Sequence, residues 1–294
     1  MNFLIQQIVS VIALGSIYSL TAIGYSMVFG VLEIINFSHA SVFMVGAFLY
    51  YILFDLGHLP GWIAFIMAII FAGVLGIVIE KLTLRPLRLS NQPKFASLIS
   101  TIGSSIILQN IMFLIMGSET LQYSTLFEDM HITISGVNIT YMQIIIVIVS
   151  IILLFSLNLF IQKSKVGMAI RAVAQDYDTA EIMGISVDNM VSLTFFIGSA
   201  LAAVSGIFVC MNYRSVDISI GVSFGLKTFA ATVLGGIGNL SGAVLGSIII
   251  AFAEVFTAAY INSNIRDLSA FLFLVIVLLV RPNGLLGKPI LKKV

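Results

Sequence analysis

Two ionisable side chains, Lys227 and Glu254, interrupt long apolar stretches of this chain. A lone charge in apolar surroundings is strongly unfavourable, so such residues pair with each other or carry an ion or a proton. Lys227 stands a few residues into its run and can also reach water along its stem; Glu254 lies deeper. Glu33 is a third carboxylate, at the end of an apolar run where interfacial solvation suffices. A second group is uncharged. Asn36, Ser38 and His39 in NFSHA (36–40) offer donors and acceptors at a helix break, where they serve a ligand or only the broken backbone. GGIGNLSG (235–242) holds Gly236, Gly238 and Asn239 in a turn that allows close backbone approach. A third group lies in RAVAQDYDTAEIMGI (171–185), where Arg171, Asp176, Asp178 and Glu181 form a polar, helix-compatible island.

Other chemistries lack their residues. His39, His58 and His131 are far apart and lack metal-ligand spacing, so no metal is expected. No GxxxxGK[ST] phosphate loop exists, and the only Gly-Lys pair, Gly287-Lys288, is followed by Pro289. HExxH is absent, and no cofactor is indicated. Uphill work would therefore draw on a partner or on an ion gradient.

The elements that position these residues follow from composition. The 294 residues are 60% hydrophobic and 9% charged, against ~25% charged in soluble domains; mean hydropathy is +1.13. Charge-free runs cover 1–32, 34–54, 56–79, 95–118, 130–162, 189–213 and 228–253, and a span needs ~20 apolar residues. The expected fold is an all-α polytopic membrane protein of about nine transmembrane helices (range 8–10), with broken helices near 36–40 and 235–242. The length suits one integral-membrane domain over 1–294, the apolar composition implies membrane lipid as its surroundings, and nothing in the net charge of +1 suggests nucleic acid. Cys210, the single cysteine, reads as a small apolar side chain in a span. The N-terminus lacks a basic region and its apolar run outlasts a signal peptide, which suggests a retained span.

Nominal spans are 3–29, 38–54, 61–79, 95–117, 141–161, 190–211, 222–237, 239–260 and 265–280, the seventh being the least secure. Lys81, Arg85, Arg88 and Lys94 share one loop, Lys163, Lys165 and Arg171 a second, and Arg281, Lys288, Lys292 and Lys293 the C-terminal tail. These regions are expected on the cytoplasmic side. The loop near 118–140 carries Glu119, Glu128 and Asp129 without Lys or Arg, which suits the outside. Parity then requires 222–237 to cross and puts the N-terminus outside. VLEIINFSHASV (31–42) and VLGGIGNLSGAV (233–244) echo each other at the two polar breaks, by an internal repeat or by chance.

The loop 163–189 holds the polar island. Val173, Tyr177, Ala180 and Gly184 recur on one small or apolar face of an expected amphipathic helix. Asp176 or Asp178 can cap its start, and Gly184 can stop it. Its small face can be buried only against the bundle, the bilayer surface or a partner; its acidic decoration disfavours anionic lipid, and a protein partner is the expected cover.

RAVAQDYDTAEIMGI resembles the cytoplasmic loop of permease subunits of bacterial ABC importers, in the branched-chain amino acid (LivH-like) family. GYSMVFGVLEIINFSHASVFMVGAF (24–48), GLKTFAATVLGGIGNLSGAVLGSI (225–248) and Arg281-Pro282 with Gly284 and Leu285 carry the same resemblance. At one place the chain departs from that pattern: the family commonly has Gly and then an acidic residue after its His, where this chain has Ala40 and Ser41. The resemblance implies a transport subunit rather than an enzyme, in the bacterial cytoplasmic (inner) membrane. Arg171, Asp176, Tyr177, Ala180, Glu181, Gly184 and Ile185 would couple it to two ABC ATPase subunits. A second homologous permease subunit, expected as a heterodimer with a homodimer left open, and an extracytoplasmic substrate-binding protein would complete the importer. Leucine, isoleucine or valine is the implied solute, with other amino acids, urea or short amides as relatives' cargo. Asn36, Ser38, His39, Gly236, Gly238 and Asn239 are candidates for the solute path, and Lys227 with Glu254 for an intramembrane charge pair. The competing reading is an ion-coupled secondary transporter or channel acting without an ATPase, which would need an essential membrane carboxylate such as Glu254. An intramembrane enzyme would need a paired catalytic set.

Overall fold

The computed structural model describes residues 2–90, 92–125, 130–134 and 136–287. Glu128, Asp129, Lys288, Pro289, Lys292 and Lys293 lie outside the described residues. Among the described residues nine apolar helices dominate: α1 (Asn2–Leu32), α2 (Ser38–Tyr51), α3 (Gly61–Ile79), α5 (Lys94–Met116), α6 (Tyr141–Lys163), α9 (Val187–Tyr213), α10 (Ser219–Gly235), α11 (Leu240–Tyr260) and α12 (Arg266–Val280). Eight apolar segments are long enough to cross a membrane; the ninth, α10, has 17 residues. α2 and α3 run on through wider π-helical turns at Ile52–Leu56 and Glu80–Leu84, and α3 then leads into the short α4 (Arg85–Leu89). α7 (Lys165–Gln175) and α8 (Tyr177–Ile182) form the loop after α6.

α9 lies at the centre, packed on α1, α2 and α3, while α1 also packs along α11. Small residues make this closeness possible, as in helix interfaces within lipid. Gly206 meets the Phe43 carbonyl, Gly46 meets Ala203, and Gly76 meets Ser199. α5, α6 and α12 are the least buried of the apolar helices and are peripheral.

The segments between helices sort to two ends. At one end Glu33 pairs with Lys94, Asp188 pairs with Arg85 and Arg88, and the Tyr177 hydroxyl donates to the Val31 carbonyl. The C-terminal segment joins them, because Leu285 N and Leu286 N donate to the carbonyls of Leu234 and Gly235, both at 2.9 Å. At the other end Gln6 exchanges hydrogen bonds with the Asn138 backbone at 2.8 and 3.0 Å. There the region read from sequence as a plain loop holds short strands. β1 (Leu121–Gln122) pairs antiparallel with β4 (Ser215–Val216), and β2 (His131–Ile134) with β3 (Val137–Thr140).

The first helix break spans 33–37, three residues earlier than expected, and the second spans 236–239, shorter than expected. Asn36 Oδ1 accepts from Ser38 N at 3.1 Å and from Ser38 Oγ at 2.5 Å, so α2 starts inside NFSHA. Asn239 caps α11 by accepting from Gly242 N at 3.1 Å, so α11 starts inside GGIGNLSG.

Nearer the other end, the helices α1, α10, α11 and α12 meet at a charge cluster. Glu254 Oε1 accepts from Lys227 Nζ at 2.9 Å and from Arg266 Nε at 3.0 Å, and its Oε2 accepts from the Tyr18 hydroxyl at 2.6 Å. Lys227 Nζ also lies 2.7 Å from Asp267 Oδ1 and 4.9 Å from the Phe224 ring centroid. Lys227 is buried, so its stem does not reach the interface; Asp267 comes down to it instead. Two cations and two carboxylates make the cluster neutral. Replacing Glu254→Leu leaves Lys227 and Arg266 to share Asp267, and an uncompensated buried charge costs roughly 3–5 kcal/mol. The variant is expected to melt well below wild type in detergent. Lys227→Met with Glu254→Leu restores neutrality and is expected to recover part of the loss; a double variant no more stable than Glu254→Leu alone would refute the charge-balance account.

Candidate functional site

The polar island builds a small rigid platform. Ser164 caps α7, its Oγ accepting from Gly167 N at 2.8 Å, and Gly167 presses on the backbone of Phe160 and Ile161, so α7 turns sharply off α6. On α7, Ile170 and Val173 are buried in a cluster with Val28, Leu32, Leu84 and Val191. Arg171 lies on the outer side, its Nη2 donating to the Gln162 carbonyl at 3.3 Å. Asp176 has extended backbone, ends α7, and caps α8 by accepting from Thr179 N at 2.7 Å. The single helix expected here is therefore two helices, broken where the Asp176 side chain competes for backbone donors. Gly184, with φ +82°, closes α8: its N–H bonds the Glu181 carbonyl at 2.9 Å and Ile185 N bonds the Ala180 carbonyl at 3.0 Å.

The small face points the other way from expectation. Ala180 and Val173 are buried against the bundle, in a cluster with Val28, Leu32 and Val191 at the ends of α1 and α9. Tyr177 is half-buried beside them; burial pushes its hydroxyl up to about 12, with Arg88 lowering and Glu33 raising it. What faces outward is Ile182, 85% exposed, and Met183, 77% exposed, flanked by Asp178 and Glu181. The expectation of Gly184 on the apolar face also gives way, because an added Cβ there would meet nothing within 4 Å.

A cleft of about 620 Å³ runs beside this tip, lined by Arg88, Tyr177, Glu181, Gly184 and Asp188 among others. Its floor is an ion network. Asp188 binds Arg85 and Arg88, Arg88 Nη2 lies 3.3 Å from Glu80 Oε1, and Glu80 Oε2 accepts from Ser192 Oγ at 2.7 Å. Sequence reasoning did not single out Glu80, Asp188, Ile182 or Met183. Glu80 closing an apolar run beside a basic loop was the available signal; the direction of Ile182 and Met183 depends on the break at Asp176.

The two helix breaks face one another at the same end. Gly238 approaches Gly30, and Asn36 and Ile237 border a void of only about 10 Å³. Asn36 and Ser38 are buried and bond each other. His39 is wedged against Gly24 with its ring 4.5 Å from that of Tyr25, and its Nε2 has no hydrogen-bond partner among the described residues. Gly236 packs on Gly284 and Gly287, and Asn239 Nδ2 donates to the Leu286 carbonyl at 2.8 Å. These contacts give the second break a role in holding the C-terminal segment. Lys227 and Glu254 lie away from both breaks, in the charge cluster. GVSFG (221–225) matches the GxSxG spacing of hydrolases, but it lies within α10 and follows no strand-to-helix elbow. Its glycines seat α10 on Ala40.

Residues 7–281 match the family described as branched-chain amino acid transport system / permease component. The chain is 40% identical over 304 residues to the high-affinity branched-chain amino acid transport system permease protein LivH of Salmonella typhimurium, covering 99% of this chain and 98% of that protein. It is 40% identical over 302 residues to the corresponding permease protein BraD of Pseudomonas aeruginosa, with the same coverage. A solved chain of PsaBC from Streptococcus pneumoniae in complex with Fab aligns with a TM-score of 0.49 at 17% identity, over 96% of this chain and 93% of that one. By the extent of these sequence matches, the chain belongs to the family of permease components of branched-chain amino acid transport systems.

Proposed function

We propose that this chain is the permease subunit of an ATP-driven importer and that the tip of α8 is the part an ATPase holds. The observation that carries the reading is the exposure of Ile182 and Met183 on a capped helix fixed to the bundle through Ala180 and Tyr177. Two large apolar side chains in water gain ~1.5–3 kcal/mol each when a partner covers them. The rigid attachment lets force on the tip reach α1 and α9. Two ATPase subunits, a second homologous permease and an extracytoplasmic binding protein complete the assembly, in the inner membrane of a bacterium. The residues Arg171, Asp176, Tyr177, Ala180, Glu181, Gly184 and Ile185 divide the work. Asp176, Gly184 and Ile185 shape α8, Tyr177 and Ala180 anchor it, and Glu181 and Arg171 border the surface offered to the partner. The solute is leucine, isoleucine or valine, by the names of the relatives. An ion-coupled carrier working alone fits less well, because both Glu254 oxygens are committed to donors and its charge is offset by cations.

Three outcomes test this reading in liposomes holding the complete importer. Ile182→Ser with Met183→Ser is expected to weaken ATPase attachment by about tenfold or more, with insertion and folding kept; retention of full ATP-driven uptake would contradict it. Gly184→Val strains a left-handed position by roughly 1–2 kcal/mol and is expected to leave hydrolysis running with less uptake per ATP. Tyr177→Phe removes the donor to Val31, a loss of about 0.5–1.5 kcal/mol, and is expected to raise hydrogen exchange across 176–185. The same linkage sets a pH window. The folded hydroxyl titrates at about 12 against 10.0 for a free tyrosine, so its contribution is complete below pH ~10 and fades as pH rises towards 12. Once the base-catalysed rise common to all amides is divided out, protection across 176–185 should fall in wild type over that window and stay level in Tyr177→Phe.

A further inference from the structure

Between α2, α5 and α10 lies a cavity of about 220 Å³, lined by Ile102, Ile106, Val222 and Leu226 with few polar groups. It is smaller than the ~300–1,000 Å³ typical of drug-sized ligand sites. No charged residue lines it. Its polar lining includes Ser105 and Gln109 of α5 and Tyr25 of α1. The two α5 residues continue a stripe. Ser97, Thr101, Ser105 and Gln109 recur every four residues, on one face of a helix that is otherwise largely exposed and apolar.

That stripe is bonded to α2. Thr101 Oγ1 accepts from Phe37 N at 3.3 Å. Ser41 Oγ lies 2.7 Å from Ser105 Oγ, and Gln109 Nε2 donates to Ser105 Oγ at 3.1 Å and Ser41 Oγ at 3.3 Å. Ser41 is buried. Gln109 Oε1 makes no hydrogen bond among the described residues, although the residue borders the cavity. An amide carbonyl facing lipid hydrocarbon would be costly, so its free acceptor beside a cavity points to an N–H from a solute. Depth agrees. Ser105 is the midpoint of Lys94–Met116, a helix about 34 Å long at 1.5 Å per residue, so the rung sits near the bilayer centre. Transporter solute sites lie at that depth, beside interrupted helices such as α2.

Resting on the importer reading above, we propose that this cavity is a wall of the solute path and that Ser41, Ser105 and Gln109 select what passes. The solute class is small and of zero net charge, with an N–H donor for Gln109 Oε1 and an aliphatic body for the Ile102, Ile106, Val222 and Leu226 wall. An uncharged rung offers nothing to offset the desolvation of a net charge. It also binds weakly, as a passage must if the solute is to leave.

The test uses the complete importer in liposomes, with leucine as the probe and ATP supplied to the ATPases. Gln109→Leu is expected to lower leucine uptake by about tenfold, with assembly and ATP hydrolysis at wild-type levels. Gln109→Glu supplies an acceptor that titrates, so its uptake is expected to rise with pH where that of wild type does not. If Gln109→Leu does not assemble, Ser105→Ala is read in the same way, with a smaller loss expected. Wild-type uptake in Gln109→Leu, or a pH profile of Gln109→Glu matching wild type, would overturn the proposal and assign the cavity to lipid or to a neighbouring helix. Uptake by the wild type that needs no ATP would instead overturn the importer reading, so the two failures are distinguishable.

Discussion

Charge neutrality inside an apolar bundle is the constraint on which this structure depends. The chain is 9% charged, and the charges at depth are gathered into balanced groups. Lys227, Glu254, Arg266 and Asp267 bind α10, α11 and α12 together, and Tyr18 ties α1 to them. Glu80, Arg88, Arg85 and Asp188 bind the end of α3 and α4 to the start of α9. Separating the first group would strand Lys227 or Glu254, and separating the second would strand Glu80, each a buried charge without a partner. The two helix breaks and the cavity beside α5 are held by uncharged hydrogen bonds, each worth about 0.5–1.5 kcal/mol, joined at the first break by the exposed Glu33–Lys94 pair, worth about 0–1 kcal/mol. Rearrangement is therefore least costly in those regions.

The loop platform is attached close to that softer region. Tyr177 holds the Val31 carbonyl, two residues before the Glu33 turn that opens the first break. The break leads to Asn36 and Ser38, which start α2, and three residues later to Ser41 on the α5 rung. In the importer reading, displacement of the α8 tip would act on the end of α1 and so on the start of α2. The second break is tied to the C-terminal segment through Asn239 and the 234–236 backbone. The two interruptions with echoing sequences thus differ in what holds them: one meets the loop platform, the other the chain's own tail.

Much of the fold was legible because lipid demands it. Apolar runs of sufficient length mark the helices, and α10, the least secure of the expected spans, is the one apolar segment among the described residues that falls short of spanning length, with 17 residues. Lys227 and Glu254 could be named from their isolation in apolar sequence, but Arg266 and Asp267, their other partners, sit at a helix start and look like ordinary interfacial charges. Periodicity found the small face of the polar island and misjudged what it meets, since hydrophobic spacing says that a face is covered and not by what. Asp176 was legible as a cap, but not the end of α7 that the same residue makes: this residue type continues a helix, ends it or caps the next, and backbone geometry decides. Ser105 and Gln109 were passed over because uncharged polar residues in a span carry no signal until their neighbours across the helix interface are known.

The central claim is that a cytoplasmic ATPase moves this bundle through the surface around residues 176–185. The most direct measurement is co-purification from detergent of the ATPase with the chain, intact and with 176–185 scrambled. The account predicts that the ATPase follows only the intact chain. Equal recovery with both chains, or with neither, would contradict it and leave the importer without the contact through which ATP could act.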